Sequence, residues 1–275
     1  TMVMARSLNA HSVKEGLELV ILIDRSSSID PKDFKLGIDF IKFLLTEFGV
    51  RNGNNPTGTR AAVLTFGTKV DIVFNLDNET IVGPEAARKA LNTVQANGGG
   101  TAMQEAVMSV FTQLPPLRPK AKKALFMITD GEPNIGEVEE TLFFANELKR
   151  EQGYEIFTVG VGKGLNRHLL SKLASEPIVS HVFILDKYTD LRSMMDIIND
   201  KSSNRSGKRS LKQKQKYLKL HPQSNIRWLQ YTFDIIAKAT GMSQRKHLLG
   251  STESQMSHVI EDLVSLQNVY SLGNP

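Results

Sequence analysis

Leu17-Glu18-Leu19-Val20-Ile21-Leu22-Ile23-Asp24, running straight into Arg25-Ser26-Ser27-Ser28, is the stretch on which the fold class turns. Its apolar run has the length of a strand, and near-continuous hydrophobicity is what a strand covered on both faces of a parallel sheet shows. A second run of the same kind, Ala124-Leu125-Phe126-Met127-Ile128-Thr129, leads directly into Asp130-Gly131. Both runs therefore end in a carboxylate at the place where a buried parallel strand would stop. In an open α/β sheet that edge is where ligands bind.

The flanking sequence repeats the pattern. Strand candidates rich in Val, Ile, Leu and Phe lie at 17–24, 60–66, 70–74, 123–129, 154–161 and 181–185. Residues 31–48 place Phe34, Ile38, Ile41 and Leu45 on one helical stripe that starts with Pro31 near its first turn. Helices are also expected at 83–92, 101–114, 137–151, 165–175 and 191–200. Gly67-Thr68-Lys69 is too short for a crossover, so strands 60–66 and 70–74 must form an antiparallel hairpin. The expected fold is α/β: a doubly wound, Rossmann-like, mostly parallel sheet with one antiparallel edge strand and a small basic helical C-terminal extension.

Three strings carry hard oxygen side chains, the first and last at the ends of apolar runs: Asp24-Arg25-Ser26-Ser27-Ser28, Gly98-Gly99-Gly100-Thr101 and Thr129-Asp130-Gly131. Two serine hydroxyls, a threonine hydroxyl and two carboxylates, without His or Cys, suit Mg²⁺, Mn²⁺ or Ca²⁺ and not zinc or copper. Such a set leaves part of the coordination to water and only partly cancels a doubly charged ion. One more oxygen, most naturally a carboxylate from a partner, would complete it. A purely structural account of the serines is a helix N-cap before the Pro31 helix.

The D-x-S-x-S string, the distant Thr after a glycine run and the later T-D-G resemble the metal-ion-dependent adhesion site (MIDAS) of von Willebrand factor type A (VWA) domains, over about residues 14–200. The resemblance implies Ser26, Ser28 and Thr101 as hydroxyl ligands and Asp24 and Asp130 as acidic ones, around a divalent cation with Mg²⁺ as the first choice. Small residues often stand between the ligands in the family, whereas here Arg25 and Ser27 do. Arg25 is expected to point into solvent, the alternative being a charge-assisted contact to an acidic ligand. Residues 177–198, with 155–161 before them, are similar to the last strands and helix of extracellular members in complement factor B and in matrix or adhesion proteins. That similarity implies a secreted, extracellular setting.

At 275 residues and 40% hydrophobic content the chain can hold one large α/β domain and an appendage. It has no run of about 18 apolar residues, hence no expected membrane span, and residues 1–12 lack the apolar core of a secretory signal. A secreted form would carry that signal upstream. With zero cysteines, disulfides, thiol nucleophiles and thiolate metal sites are excluded. Asn78-Glu79-Thr80 and Asn204-Arg205-Ser206 are glycosylation triplets.

Charge divides the chain. Residues 201–275 hold 12 Lys and Arg against 4 Asp and Glu, a balance of +8, whereas residues 1–200 hold 22 against 25, or −3. Residues 201–219 contain no acidic residue and read as a linker or as a strip for sulfated glycans or other anions, weakened by salt. Nucleic acid is not expected, since no recognised motif or interleaved aromatics accompany the charge. Farther on, Trp228, Leu229, Phe233, Ile236 and Ala237, then Met256, Val259, Ile260, Leu263 and Leu266, form two amphipathic stripes. They would pack on each other, on the domain, or on another chain as an oligomerising element. The expected organisation is a VWA domain at 14–200, a basic linker at 201–220 and an amphipathic helical extension at 221–275.

Little here supports catalysis. The histidines at 11, 168, 181, 221, 247 and 258 lack metal-ligand spacing or a Ser/Asp partner. Gly160-Val161-Gly162-Lys163-Gly164 lacks P-loop spacing. Glu132 is the only base near Asp130. The reading is therefore a non-enzymatic extracellular adhesion module for protein ligands such as collagen or another matrix protein. Its alternatives are a structural matrix protein linking fibres and an intracellular VWA module of a chelatase-like or remodelling assembly.

Overall fold

A computed structural model describes residues 16–96, 98–192 and 195. Within them twelve elements follow one another: β1 (Leu17–Asp24), α1 (Pro31–Glu47), β2 (Thr59–Phe66), β3 (Val70–Phe74), α2 (Pro84–Leu91), α3 (Met103–Thr112), β4 (Lys122–Thr129), α4 (Val138–Arg150), β5 (Tyr154–Val161), α5 (Arg167–Leu173), α6 (Ile178–His181) and β6 (Val182–Leu185). The six strands form one sheet in the order β3-β2-β1-β4-β5-β6. All neighbours pair in parallel except β2 with β3, the antiparallel hairpin at one edge.

Strand alternation divides the core into two layers. Leu17, Leu19, Ile21 and Ile23 of β1 join Phe34, Ile38, Ile41 and Leu45 of α1 with Ala87 and Leu91 of α2 on one face. Val20 and Leu22 face the other way, among Met103, Ala106 and Val110 of α3 and Ala145 and Leu148 of α4. Every residue of β1 is buried, which explains its near-continuous apolar run; burying a Leu or Ile side chain contributes roughly 1.5–3 kcal/mol. Phe126 and Phe157 stand opposite each other in the β4/β5 register, and their rings stack at 4.7 Å.

Several expectations shift by a residue or two. The strand expected from 181 starts at Val182, preceded by the helical turn α6, because His181 stacks on Phe157 at 4.5 Å and its Nδ1 lies 2.9 Å from the Pro177 carbonyl. The helix expected at 101–114 is shorter, starting at Met103. Of the helix expected at 191–200, only its beginning is described, with helical backbone from residue 189. The basic linker and the amphipathic extension lie outside the described residues. Among the described residues no helix is long and apolar enough to cross a membrane.

The strand order places the site. Connections run from β1 outward through β2 and β3 on one side, and from β4 outward through β5 and β6 on the other. Between β1 and β4 the direction of winding reverses, opening a crevice at their carboxyl ends. Asp24 and Asp130 stand at those two ends.

Candidate functional site

Asp24 is fully buried at the last position of β1. Its Oδ1 accepts from the Ser26 main-chain N–H at 2.8 Å and its Oδ2 from the Thr129 hydroxyl at 2.7 Å. The first bond turns the chain sharply and places Ser26, 2% exposed, above the strand end. Ser26 Oγ lies 2.9 Å from Ser28 Oγ, and Ser28 Oγ donates to Asp130 Oδ1 at 2.9 Å. Two carboxylates from adjacent strands are thus linked through the loop that follows β1.

The serine hydroxyls are not spent on capping. Asp30 is the N-cap of α1, its carboxylate accepting from the Lys32 N–H at 2.8 Å, with Pro31 opening the helix. Position 30, already outside the D-x-S-x-S string, does the work that a structural account assigned to the serines.

Thr101 reaches the same crevice through its main chain. The Gly99 carbonyl accepts from both Ser27 N and Ser27 Oγ at 3.0 Å, and the Ala102 N–H donates to Gly67 at 2.8 Å. Gly99 adopts φ +95°, a backbone region that favours glycine, and a Cβ on Gly100 would stand 2.4 Å from Ile135 Cδ1, so that side chain would have to shift. From the β4 side, Asn134 Oδ1 accepts from the Thr101 N–H at 2.7 Å while Asn134 N donates back to the Thr101 carbonyl at 3.3 Å. Thr101 is 4% exposed.

Asp24, Ser26, Ser28 and Asp130 are therefore joined by a chain of hydrogen bonds, and Thr101 is held beside them by its backbone. Burial raises the pKa of Asp24 above the ordinary carboxylate range, opposed by bonds from Thr129 and Ser26 and reinforced by the Asp130 charge. Asp130 is raised as well, by burial first, with the Asp33 charge adding to it. Two such carboxylates, each resisting ionisation, are a place where a cation removes an electrostatic penalty. The surrounding oxygen set suits a hard divalent ion. Among the described residues no group of three or more His, Cys, Asp or Glu is placed to hold a metal.

Arg25 corrects the expectation of a solvent-directed cation. Its side chain is only 11% exposed and pairs with Asp71 on the edge strand β3. The partner is acidic but belongs to the hairpin rather than to the crevice. Thr129 and Asn134 are contributors that sequence reasoning passed over. Thr129 was signalled by the T-D-G string; Asn134 carried no local signal.

The model of the von Willebrand factor type A domain matches residues 18–197. The chain belongs to that family. It is 30% identical over 195 residues to "Sushi, von Willebrand factor type A, EGF and pentraxin domain-containing protein 1" of Rattus norvegicus, covering 69% of this chain and 5% of that protein. With Matrilin-3 of Gallus gallus it shares 31% identity over 179 residues, 62% of this chain and 37% of the relative. A solved structure of proximal thread matrix protein 1 from the mussel byssus, with a zinc-occupied MIDAS motif, aligns at TM-score 0.58 and 25% identity. That alignment covers 66% of this chain and 44% of the other. The chain thus spans 5% to 37% of these two curated relatives, and none of the three names denotes an enzyme.

Proposed function

We propose that this VWA domain is a non-enzymatic, extracellular adhesion or matrix-binding module with an intact MIDAS. Asp24, Ser26, Ser28, Thr101 and Asp130 would hold a divalent cation, Mg²⁺ first and Mn²⁺ or Ca²⁺ as alternatives. The observation that carries this reading is the Ser26–Ser28–Asp130 hydroxyl chain across the β1/β4 switch point, with capping left to Asp30. When bound, the ion supplies an open coordination position for an Asp or Glu carboxylate of a protein partner. Asp24 anchors the loop through Ser26 N and Thr129, and Ser28 couples that loop to Asp130. Asn134 and Ser27 fix the Thr101 loop against both.

Matrix proteins stand among the similar proteins, which supports a secreted chain whose partner is collagen or another matrix protein. Around the domain, taken as residues 14–200, the basic linker 201–220 would add salt-sensitive contacts to sulfated glycans through 201–219. The extension 221–275 would pack or oligomerise through its two stripes. No nucleic-acid partner is implied. Likeness to a byssal thread matrix protein also favours a second role, linking fibres with the metal partly structural.

Binding of the full chain to collagens, other matrix proteins and heparin, in Mg²⁺ and then in EDTA, tests the reading. Protein binding lost on chelation, and lost in Asp130→Ala and Thr101→Ala variants that stay folded, is the expected result. Self-association or fibre binding that survives EDTA would support the linking role. Binding confined to heparin and abolished by salt would move the function to the basic segment.

A further inference from the structure

Tyr188 is 5% exposed, and its hydroxyl is buried without a hydrogen-bond partner among the described residues. A buried tyrosine hydroxyl normally finds one. The ring packs against α1 beside the end of β1: a Cβ on Gly37 would meet Tyr188 Cε1 at 3.6 Å and Ile23 Cδ1 at 3.0 Å, and Ile23 precedes Asp24. Burial and then the charges of Asp130, Asp24 and Asp33 push its ionisation up, so the hydroxyl is a neutral phenol in the field of the crevice carboxylates. Ionised carboxylates only accept hydrogen bonds, whereas a phenol donates one and accepts another. The two together can bracket a water, one accepting from it and the other donating to it.

From this placement we infer that Tyr188 is a positioning residue of the metal centre, its hydroxyl bridging a water in the outer sphere of the divalent ion to the Asp24/Asp130 carboxylates. The inference rests on the metal reading above. It gives the unpartnered hydroxyl its role: without an ion the water is loosely held, and with one it is fixed. Partners of this kind orient the groups that touch the metal and typically change affinity by one or two powers of ten.

Tyr154 supplies the control. Its hydroxyl is likewise buried and unpartnered among the described residues, but it lies in the field of Glu18 and Arg60, near the start of β1. Calorimetric titration of Mg²⁺ into the full chain should show Tyr188→Phe binding about tenfold more weakly than wild type, with Tyr154→Phe unchanged. In EDTA, Tyr188→Phe should melt no lower than wild type, since no hydrogen bond to a described residue is lost, while its upward shift on adding Mg²⁺ should be smaller. Equal affinity for wild type and Tyr188→Phe overturns the inference and leaves the metal reading standing. So does a melting loss that is the same with and without Mg²⁺. Absence of any Mg²⁺, Mn²⁺ or Ca²⁺ binding by the wild type overturns both.

Discussion

Asp24 and Asp130 are negative charges that folding takes out of water, and the raised pKa of each records the resulting penalty. A carboxyl whose folded pKa is raised holds its proton more tightly in the native state than in the unfolded chain. Stability therefore falls as pH rises from the ordinary carboxylate value through the raised one, and metal affinity should rise over the same window. Asp130→Asn removes one charge while keeping an oxygen that can accept from Ser28. In EDTA at neutral pH this variant should unfold at a higher urea concentration than wild type, and the gap should narrow as the pH falls into the carboxylate range. An equal or lower midpoint at pH 7 would mean that the protein already compensates the charge of Asp130. Adding Mg²⁺ should reverse the order of the two proteins. The five proposed ligands could be chosen from sequence because two of their strings each terminate an apolar run and the third follows a glycine run, so chemistry and position are visible together. Asn134 and Tyr188 could not be chosen, because their parts depend on which loop and which helix face the fold brings near them.

Buried parallel strands were legible to within a residue at nearly every boundary, since a strand covered on both faces has no polar face to interrupt its run. The connections hid more. Asn52, in a stretch that reads as an ordinary turn (Arg51-Asn52-Gly53-Asn54-Asn55), is 6% exposed and acts as an extra piece of strand. Its Nδ2 donates to the Ala61 and Asn75 carbonyls, and its Oδ1 accepts from the Ala61 N–H, all at 2.7 Å. That clip ties the loop after α1 to β2 and to the end of the β2/β3 hairpin. Asn52→Ala leaves three main-chain groups without these partners, each such group costing about 1–3 kcal/mol when buried. With partial rescue by water, a loss of about 3 kcal/mol is expected in urea denaturation. A loss under about 1 kcal/mol would show that water replaces the amide. Sequence could not reveal the clip, because an Asn in a turn looks the same whether it faces solvent or substitutes for a strand.

Across the whole sheet, one end carries the proposed metal site and the other a buried ion-pair network. Glu18 is fully buried near the start of β1, about 20 Å along the strand from Asp24 at the usual rise per residue. Arg118 Nε donates to Glu18 Oε1 at 2.6 Å, and Arg60 approaches the same carboxylate at 2.8 to 3.2 Å. Arg118 also donates to the carbonyls of Leu17 and Gly58 at 2.8 and 2.9 Å, so most of its donors are taken by protein. The cleft beside these arginines, about 530 Å³ and lined by Asn55 and Lys120 among others, thus has in Arg60 and Arg118 side chains already engaged. Truncating one member of a buried ion-pair network strands the others and typically costs about 3–5 kcal/mol. Arg118→Ala should lower the stability of the full chain by about 3 kcal/mol while leaving its Mg²⁺ affinity within about twofold of wild type, because sites this far apart without shared partners behave additively. Asp130→Ala should show the converse, with metal binding lost and the fold kept. If Arg118→Ala weakened Mg²⁺ binding as strongly as it weakened the fold, the two ends of β1 would be coupled through the strand, and the sheet would be one cooperative device rather than a scaffold carrying a site at its edge.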